Sequence, residues 1–137
     1  MAKLSTVLIS TVCVLALAGC TSLSRHEQNQ LKQLEAHGIT IDTPAGQFEP
    51  PAQPGAAAFL NILPGVGNFY LASGRAAQSE HALYGVMNLL FWPLSIIWGM
   101  PEAAIDANNI NKREMIYYYT YDKQGKKALK ERGITLE

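Results

Sequence analysis

Apolar residues fall into three blocks along the chain, and polar stretches separate these blocks. The first block is Leu4 to Leu17, the second covers residues 56–72, and the third covers residues 82–105. Residues 27–37 (EQNQLKQLEAH) are typical of a short helix, and a polar, basic tail follows the third block. The pattern predicts a mainly α-helical protein.

The first apolar block belongs to an N-terminal processing signal. Lys3 gives a positive start, and the apolar run that follows is too short to span a bilayer but fits a signal peptide. The run ends in Leu17-Ala18-Gly19-Cys20, which resembles the lipobox of bacterial lipoproteins. The resemblance implies cleavage between Gly19 and Cys20, a diacylglyceryl group on the Cys20 thiol and acylation of the new amine. The alternative is an ordinary signal peptide or a short anchor with an incidental cysteine.

Membrane lipid, attached through acylated Cys20, is therefore the expected partner. Cys13 leaves with the signal peptide and Cys20 is consumed by lipid, so the mature chain is expected to hold no disulfide. In the lipoprotein family an Asp after the cysteine retains the protein at the inner membrane. Thr21 stands at that position, which implies the outer membrane, facing the periplasm, with the inner membrane as the alternative.

A Pro-rich stretch divides the mature chain. Residues 43–55 hold four Pro and two Gly in thirteen positions, which favours an extended linker with polyproline character. The expected segments are a signal peptide (1–19), a lipidated tether with a short helix (20–42), the linker (43–55), a hydrophobic helical hairpin (56–110) and a polar basic tail (111–137).

The second apolar block is predicted to be broken. Pro64, Gly65 and Gly67 interrupt it, so we expect a short helix over 56–63, a Gly-rich turn and a second short piece. The third block has twenty uncharged residues from Ala82 to Pro101, enough to span a bilayer, with kinks expected at its prolines.

A stripe of small and polar residues runs along the third block. His81 and Trp92 lie on the same stripe, whose members recur at steps of three or four residues and so share one helical face. Such a face is expected to pack against another element, here the second block, and to close a hairpin. The predicted packing face consists of Gly85, Asn88, Ser95, Gly99, Glu102 and Asp106.

A short internal repeat brackets the mature chain. LKQLEAHGITID at 31–42 matches KKALKERGITLE at 126–137. Gly38 and Gly133 are each predicted to be the left-handed residue of a Schellman cap that ends a helix.

The polar tail contains a run of aromatic residues and a basic helix. Four tyrosines within residues 116–121 (IYYYTY) favour a strand, although the preceding residues favour a helix. These tyrosines are interpreted as an interfacial belt, with glycan or peptidoglycan binding as the alternative. The lysines that follow predict a helix on anionic headgroups or a solvated face.

Charge and motif content exclude several functional classes. Lys and Arg total 11 and Asp and Glu total 11, a balance that argues against nucleic-acid binding. Only 16% of residues are charged, which favours residence in or on a membrane. The histidines form no metal-binding pattern, GVGNFY at 65–70 lacks the last glycine of a nucleotide loop, and no hydrolase motif is present. We expect that the protein is not an enzyme and binds no cofactor. Glu102 and Asp106 are interpreted as structural rather than catalytic.

The hydrophobic region resembles a TM2-type hairpin. Gly-Val-Gly-Asn-Phe-Tyr-Leu at 65–71, a short loop, a second apolar helix and then Asp106 carry the resemblance, which covers roughly residues 56–110. Ala72, Pro64 and Glu102 depart from the family pattern. The resemblance implies a hairpin topology, and the whole chain also resembles small Gram-negative lipoproteins of unknown function.

These observations predict a non-enzymatic envelope lipoprotein with a structural or scaffold role. The hairpin is expected to be embedded in the membrane or to self-associate, with a homo-oligomer or another envelope protein as partner. A true membrane span and a compact soluble core are the alternatives for the hairpin. A periplasmic module that binds peptidoglycan or lipid is the alternative function.

Overall fold

The computed structural model describes residues 22–75, 79–92 and 95–136. The signal peptide, Cys20 and Pro93 lie outside these ranges. Within them the secondary structure consists of six helices and no strand, which confirms a mainly α fold. The helices are α1 (Arg25–Ala36), α2 (Pro54–Leu60), α3 (Val66–Ser73), α4 (Glu80–Leu90), α5 (Ser95–Tyr121) and α6 (Lys123–Glu131).

Helix α1 is fixed at both ends by local hydrogen bonds. The Ser24 hydroxyl accepts from the Glu27 N–H at 3.3 Å, and the Glu27 carboxylate accepts from the Ser24 N–H at 2.6 Å, so the two residues form a capping box. At the other end Gly38 has φ +72°, and the Ile39 N–H donates to the Leu34 carbonyl at 2.9 Å. The Schellman cap predicted at Gly38 is confirmed.

Helix α6 ends in the same way. Gly133 has φ +68°, and the Ile134 N–H donates to the Leu129 carbonyl at 3.0 Å, so the second predicted cap is also confirmed. The aliphatic residues on either side of both glycines pack into one core. The internal repeat therefore closes two helices against the same apolar cluster.

The helices α1 and α6, the C-terminal half of α5 and residues 43–52 form a unit that we name the terminal module. Its core is aliphatic and aromatic, and its charged side chains lie outside, as in a domain surrounded by water. The buried core residues are Leu31, Leu34, Ile39, Ala45, Phe48, Met115, Ile116, Tyr119 and Leu129.

Residues 116–121 are helical, which corrects the prediction of a strand. They form the last turns of α5, where Ile116 and Tyr119 are buried while Tyr117 and Tyr121 are exposed. This spacing is helical, and it places the buried side chains against the rest of the core. The strand preference of a tyrosine run is weaker than the burial that a continuing helix provides.

The Pro-rich segment has no helix or strand over residues 43–53, yet it is packed. The Tyr119 hydroxyl accepts from the Ala45 N–H at 2.6 Å and donates to the Ala45 carbonyl at 2.7 Å. The Asn111 carboxamide accepts from the Ala52 N–H at 2.9 Å and donates to the Ala52 carbonyl at 2.8 Å. The expected linker is thus held against α5 at two points.

Residues 54–106 form a second unit, which we name the hairpin unit. Helix α2 runs antiparallel to α5, since Asn61 contacts Gly99 while Ala52 contacts Asn111. Helix α4 is also antiparallel to α5, because His81 faces Asp106 while Asn88 meets Ser95. The turn after α2 and the junction of α4 with α5 lie at one end, the tip. The end of α3, the start of α4 and Asp106 lie at the other end, the base.

The third apolar block is two helices rather than one. Helix α4 ends at Leu90, and the next two residues, Phe91 and Trp92, form a turn. Helix α5 begins at Ser95 and continues through Pro101. A continuing helix needs an N–H that proline lacks, and the sequence has a proline at position 93, between the two helices. The second block forms α2, a turn and α3, as predicted. No helix in the part of the chain that the structure describes is long and apolar enough to cross a bilayer.

We expect Tyr119→Phe to destabilise the terminal module by about 1–3 kcal/mol, because it leaves the buried N–H and carbonyl of Ala45 without their partner. Tyr117→Phe is the matched control, since the Tyr117 side chain is 58% exposed. Urea unfolding followed by circular dichroism measures both variants. Equal stability of the two variants would contradict the role assigned to the Tyr119 hydroxyl.

Candidate functional site: a polar interior inside an apolar hairpin unit

The hairpin unit reverses the usual arrangement of a protein in water. Its large apolar side chains are mostly outside, and its buried side chains are largely polar. The buried polar residues are Asn61, Asn68, His81, Asn88, Ser95 and Asp106. The exposed apolar residues are Phe59, Ile62, Leu63, Phe69, Leu83, Val86, Met87, Leu89, Leu90, Phe91, Trp92, Ile97, Trp98 and Ile105.

Three buried carboxamides connect the helices of this unit. The Asn68 Oδ1 atom accepts from Asn61 Nδ2 at 3.0 Å and from Asn88 Nδ2 at 3.1 Å. The Asn61 amide also donates to the Gly99 carbonyl at 2.5 Å, and its Oδ1 atom accepts from the Gly67 N–H at 3.0 Å. The end of α2, the start of α3, α4 and α5 therefore meet at one set of amide hydrogen bonds.

Asn88 extends this network to the junction of α4 with α5. Its backbone carbonyl accepts from the Ser95 hydroxyl at 2.6 Å, and its Oδ1 atom accepts from the Trp98 indole N–H at 3.1 Å. The Asn88 side chain also bonds to Glu102. One asparagine thus fixes how α5 starts relative to α4.

Two glycines permit the close approach that these bonds require. A Cβ atom at Gly67 would lie 2.1 Å from the Ala57 carbonyl oxygen, so α2 and α3 touch through backbone. Gly65 has φ +85°, and a Cβ atom there would lie 2.2 Å from the Gly85 carbonyl oxygen. Neither position accommodates a side chain while the helices keep this spacing.

The predicted packing face lies inside the hairpin unit. Gly85, Asn88, Ser95, Gly99 and Asp106 are buried, and Glu102 is half-buried. Trp92, on the same stripe, is 62% exposed because the turn at the tip separates it from both helices.

His81 and Asp106 form a fully buried pair at the base. The His81 Nδ1 atom lies 3.6 Å from Asp106 Oδ2, and neither side chain is exposed to solvent. Burial lowers the pKa of His81 below its ordinary value near 6.5, although the Asp106 charge acts in the opposite direction. The lowered pKa favours the neutral imidazole at pH 7.

Glu102 lies between the His81–Asp106 pair and the amides. Burial raises the pKa of its carboxyl above the ordinary value near 4.5; the bond with Asn88 opposes this shift, and the Asp106 charge adds to it. The hairpin unit thus holds two carboxyl groups one helical turn apart, at its base rather than at its tip.

The polar side chains of the interior hydrogen-bond to one another and to the backbone. The Ser95 hydroxyl donates to a backbone carbonyl and not to a base. No three His, Cys, Asp or Glu side chains within the described ranges are placed to hold a metal ion. Asn61 and Asn68, which complete the network, were not singled out by the sequence analysis. The sequence feature that could have identified them is a single asparagine in each half of the second apolar block.

Arg113 connects the start of the described chain to α5. Its Nε atom lies 3.1 Å from Glu27 Oε1, and its Nη2 atom donates to the Ser22 carbonyl at 3.2 Å. The Arg113 charge and the bond with Ser24 lower the pKa of Glu27 despite partial burial. Arg113 is seven residues, about 10 Å, beyond Asp106 along α5, and its guanidinium holds Ser22.

The tyrosines of the tail are divided between two roles. Tyr119 is buried and holds Ala45, whereas Tyr117 and Tyr121 are exposed with ring centroids 5.1 Å apart. Only the latter pair is open to a ligand in the described structure.

We expect Glu102→Gln to change the pH dependence of unfolding. Because the folded-state pKa of Glu102 is raised, its contribution to stability is full below pH 4.5 and is lost as the pH rises through the folded-state pKa. The stability of the original protein relative to Glu102→Gln should therefore fall as the pH is raised from 4.5. Urea midpoints of both proteins measured across this range test the sign, and a difference that rises with pH would contradict it.

No protein-family model matches the chain, and no curated protein or solved structure matches it either. The resemblances to bacterial lipoproteins and to TM2-type hairpins therefore stay predictions from the sequence.

Proposed function

We propose that the protein is a non-enzymatic, lipid-anchored scaffold of the bacterial envelope whose hairpin unit inserts into one leaflet of the membrane. The observation that carries this proposal is the reversed arrangement of the hairpin unit, with amides inside and large apolar side chains outside. An exposed apolar surface of this extent marks contact with a membrane or a partner. Hydrocarbon is the surrounding in which such an exterior is favourable and polar groups must be satisfied internally.

The depth of the hairpin unit matches one leaflet. Eleven residues of α5 separate Ser95 at the tip from Asp106 at the base, which is about 16 Å of helix. The hydrocarbon core of a bilayer is about 30 Å thick, so one leaflet is about 15 Å deep. With the base at the edge of the hydrocarbon layer, the tip lies at about the midplane of the bilayer.

Charges also agree with this placement. Between Pro50 and Pro101 the charged residues are Arg75 and Glu80, and both are near the base. Arg75 Nη1 lies 3.4 Å from Glu49 Oε2, outside the hairpin unit. The tip carries Leu63, Leu90 and Trp92, all exposed, and no charge.

The position of Ser22 makes lipid attachment and insertion compatible. Arg113, about 10 Å past the base along α5, holds Ser22, and the proposed acylated residue Cys20 is two residues away. Two residues reach at most about 7 Å. On this proposal the acylated Cys20 lies near the level of the base, and the terminal module lies on the periplasmic side of the leaflet.

A second candidate, binding of peptidoglycan, is favoured by the exposed Tyr117–Tyr121 pair. The two rings are 5.1 Å apart on the terminal module, away from the tip. A sedimentation assay with purified peptidoglycan tests it: Tyr117→Ala with Tyr121→Ala should abolish binding, and no binding by the original protein would overturn it.

Membrane fractionation tests the proposed insertion. A Cys20→Ala chain, exported with a non-lipoprotein signal peptide, should resist a carbonate wash through the hairpin unit alone. Adding Leu90→Glu and Ile97→Glu should release it, since a charge in hydrocarbon costs about 2.5–3.5 kcal/mol and shifts partitioning about tenfold or more. These side chains are 70% and 79% exposed, so both variants are expected to fold.

The matched control places the same charges on the terminal module. Tyr117→Glu with Tyr121→Glu, at side chains 58% and 63% exposed, should leave the Cys20→Ala chain in the washed membranes. Equal helical content by circular dichroism confirms that all variants fold. Release of the Cys20→Ala chain as a soluble monomer would overturn the proposal. Release as a soluble oligomer would show that a second copy, not lipid, covers the apolar exterior.

A further inference from the structure

A groove of about 250 Å³ opens beside α5, just past the base of the hairpin unit. Helix α1, the loop that follows it and α5 form its walls. Its lining combines apolar side chains with charged side chains of both signs. The residues that matter here are Leu31, Glu35, Ile41, Asp42, Asn108 and Lys112.

The charged groups of the groove are available to a ligand. Glu35 and Asp42 are exposed and Lys112 is half-buried. In the part of the chain that the structure describes, none of the three takes part in an ion pair. One ammonium group and two carboxylates thus share a groove without neutralising one another.

An exposed apolar strip of α5 leads to this groove from the tip. Ile97, Pro101 and Ile105 are exposed and are spaced four residues apart. Asn108 and Lys112 follow Ile105 after three and seven residues, so the strip and the groove share one face of α5. The face changes from apolar to polar as it passes the base.

In the proposed insertion, the groove lies at the depth of the lipid headgroups. Lys112 is six residues beyond Asp106, which places it about 9 Å past the base along α5. Ser22 lies at nearly the same level, since Arg113 holds it. A lipid whose acyl chain lies along Ile97 and Ile105 therefore presents its headgroup to Lys112.

We propose that the groove binds the headgroup of a membrane phospholipid that carries a primary amine on its phosphodiester, of the phosphoethanolamine type. Lys112 pairs with the phosphate, and Asp42 and Glu35 accept hydrogen bonds from the ammonium group. The acyl chains lie on the strip of α5. This inference rests on the proposed function, because that insertion brings the groove to the headgroup layer.

Charge complementarity favours this headgroup over the other common types. A phosphocholine headgroup has the same charges, but its quaternary nitrogen has no N–H to donate to a carboxylate. A phosphoglycerol headgroup has only the phosphate, which leaves two carboxylates facing an anion. The groove therefore discriminates through its acidic side as well as through Lys112.

Native mass spectrometry of the acylated full-length chain tests the proposal. The protein, purified in mild detergent, is incubated with equal parts of phosphatidylethanolamine, phosphatidylcholine and phosphatidylglycerol that have the same acyl chains. We expect phosphatidylethanolamine to be retained about tenfold more than the other two, the scale of one charge-assisted hydrogen bond. Lys112→Gln should lower its retention, and Asp42→Asn with Glu35→Gln should remove the preference over phosphatidylcholine.

The matched control is Lys126→Gln with Glu131→Gln on the exposed face of α6, which should leave the preference unchanged. Equal retention of the three lipids by the original protein, or an equal loss in the control, would overturn the proposal. Displacement of phosphatidylethanolamine by an equal amount of soluble glycerophosphoethanolamine would overturn it too, since the occupant would then be a soluble compound.

The lipid-binding experiment and the membrane fractionation test the two proposals separately. A hairpin unit that resists the carbonate wash in a protein without headgroup preference overturns only the groove proposal. A headgroup preference in a protein whose hairpin unit is released by the wash supports the groove and overturns the leaflet insertion.

Discussion

Hydrogen bonds between buried carboxamides are the interaction on which the hairpin unit depends. Its large apolar side chains are mostly outside, and its buried apolar residues are few: Ala57, Leu71 and Ala103. Much of its cohesion therefore comes from close backbone packing and from polar bonds across helices. Asn68 supplies the shared acceptor, Asn61 and Asn88 bond to it from the two flanking helices, and Gly67 brings the backbones close enough. The same asparagines would be costly in an aliphatic core without these partners.

Helix α5 joins two units that follow opposite packing rules. Its first half presents Gly99 and Asp106 to a polar interior, and its second half presents Met115 and Tyr119 to an apolar core. Because it is continuous, the relative orientation of the units is set by a single rigid element. The segment from Thr43 to Gln53 runs beside it and is pinned at Ala45 and Ala52, which adds a second connection between the units.

Local features of this fold could be predicted from the sequence, and long-range ones could not. The caps at Gly38 and Gly133 depend on a few neighbouring residues, so the repeat was sufficient to place them. The strand predicted at 116–121 was wrong because local propensity does not register the partners that a continuing helix meets. The single helix expected over 82–105 was wrong, since one helix ends at Leu90 and the next begins at Ser95; an apolar run does not by itself show where a turn divides it. The partners of Asn61 and Asn68 depend on how four helices assemble, which periodicity alone does not contain.

The short chain segment before α1 is held against α5. Arg113 donates to the Ser22 carbonyl, and only Thr21 lies between Ser22 and Cys20 in the sequence. With the proposed acylation, the lipid is therefore attached to the terminal module through a very short tether. A lipoprotein with a long tether samples a wide volume above its membrane, whereas the proposed attachment would keep the terminal module at one height and in one orientation. A ligand or partner would then have to approach the membrane surface to contact it.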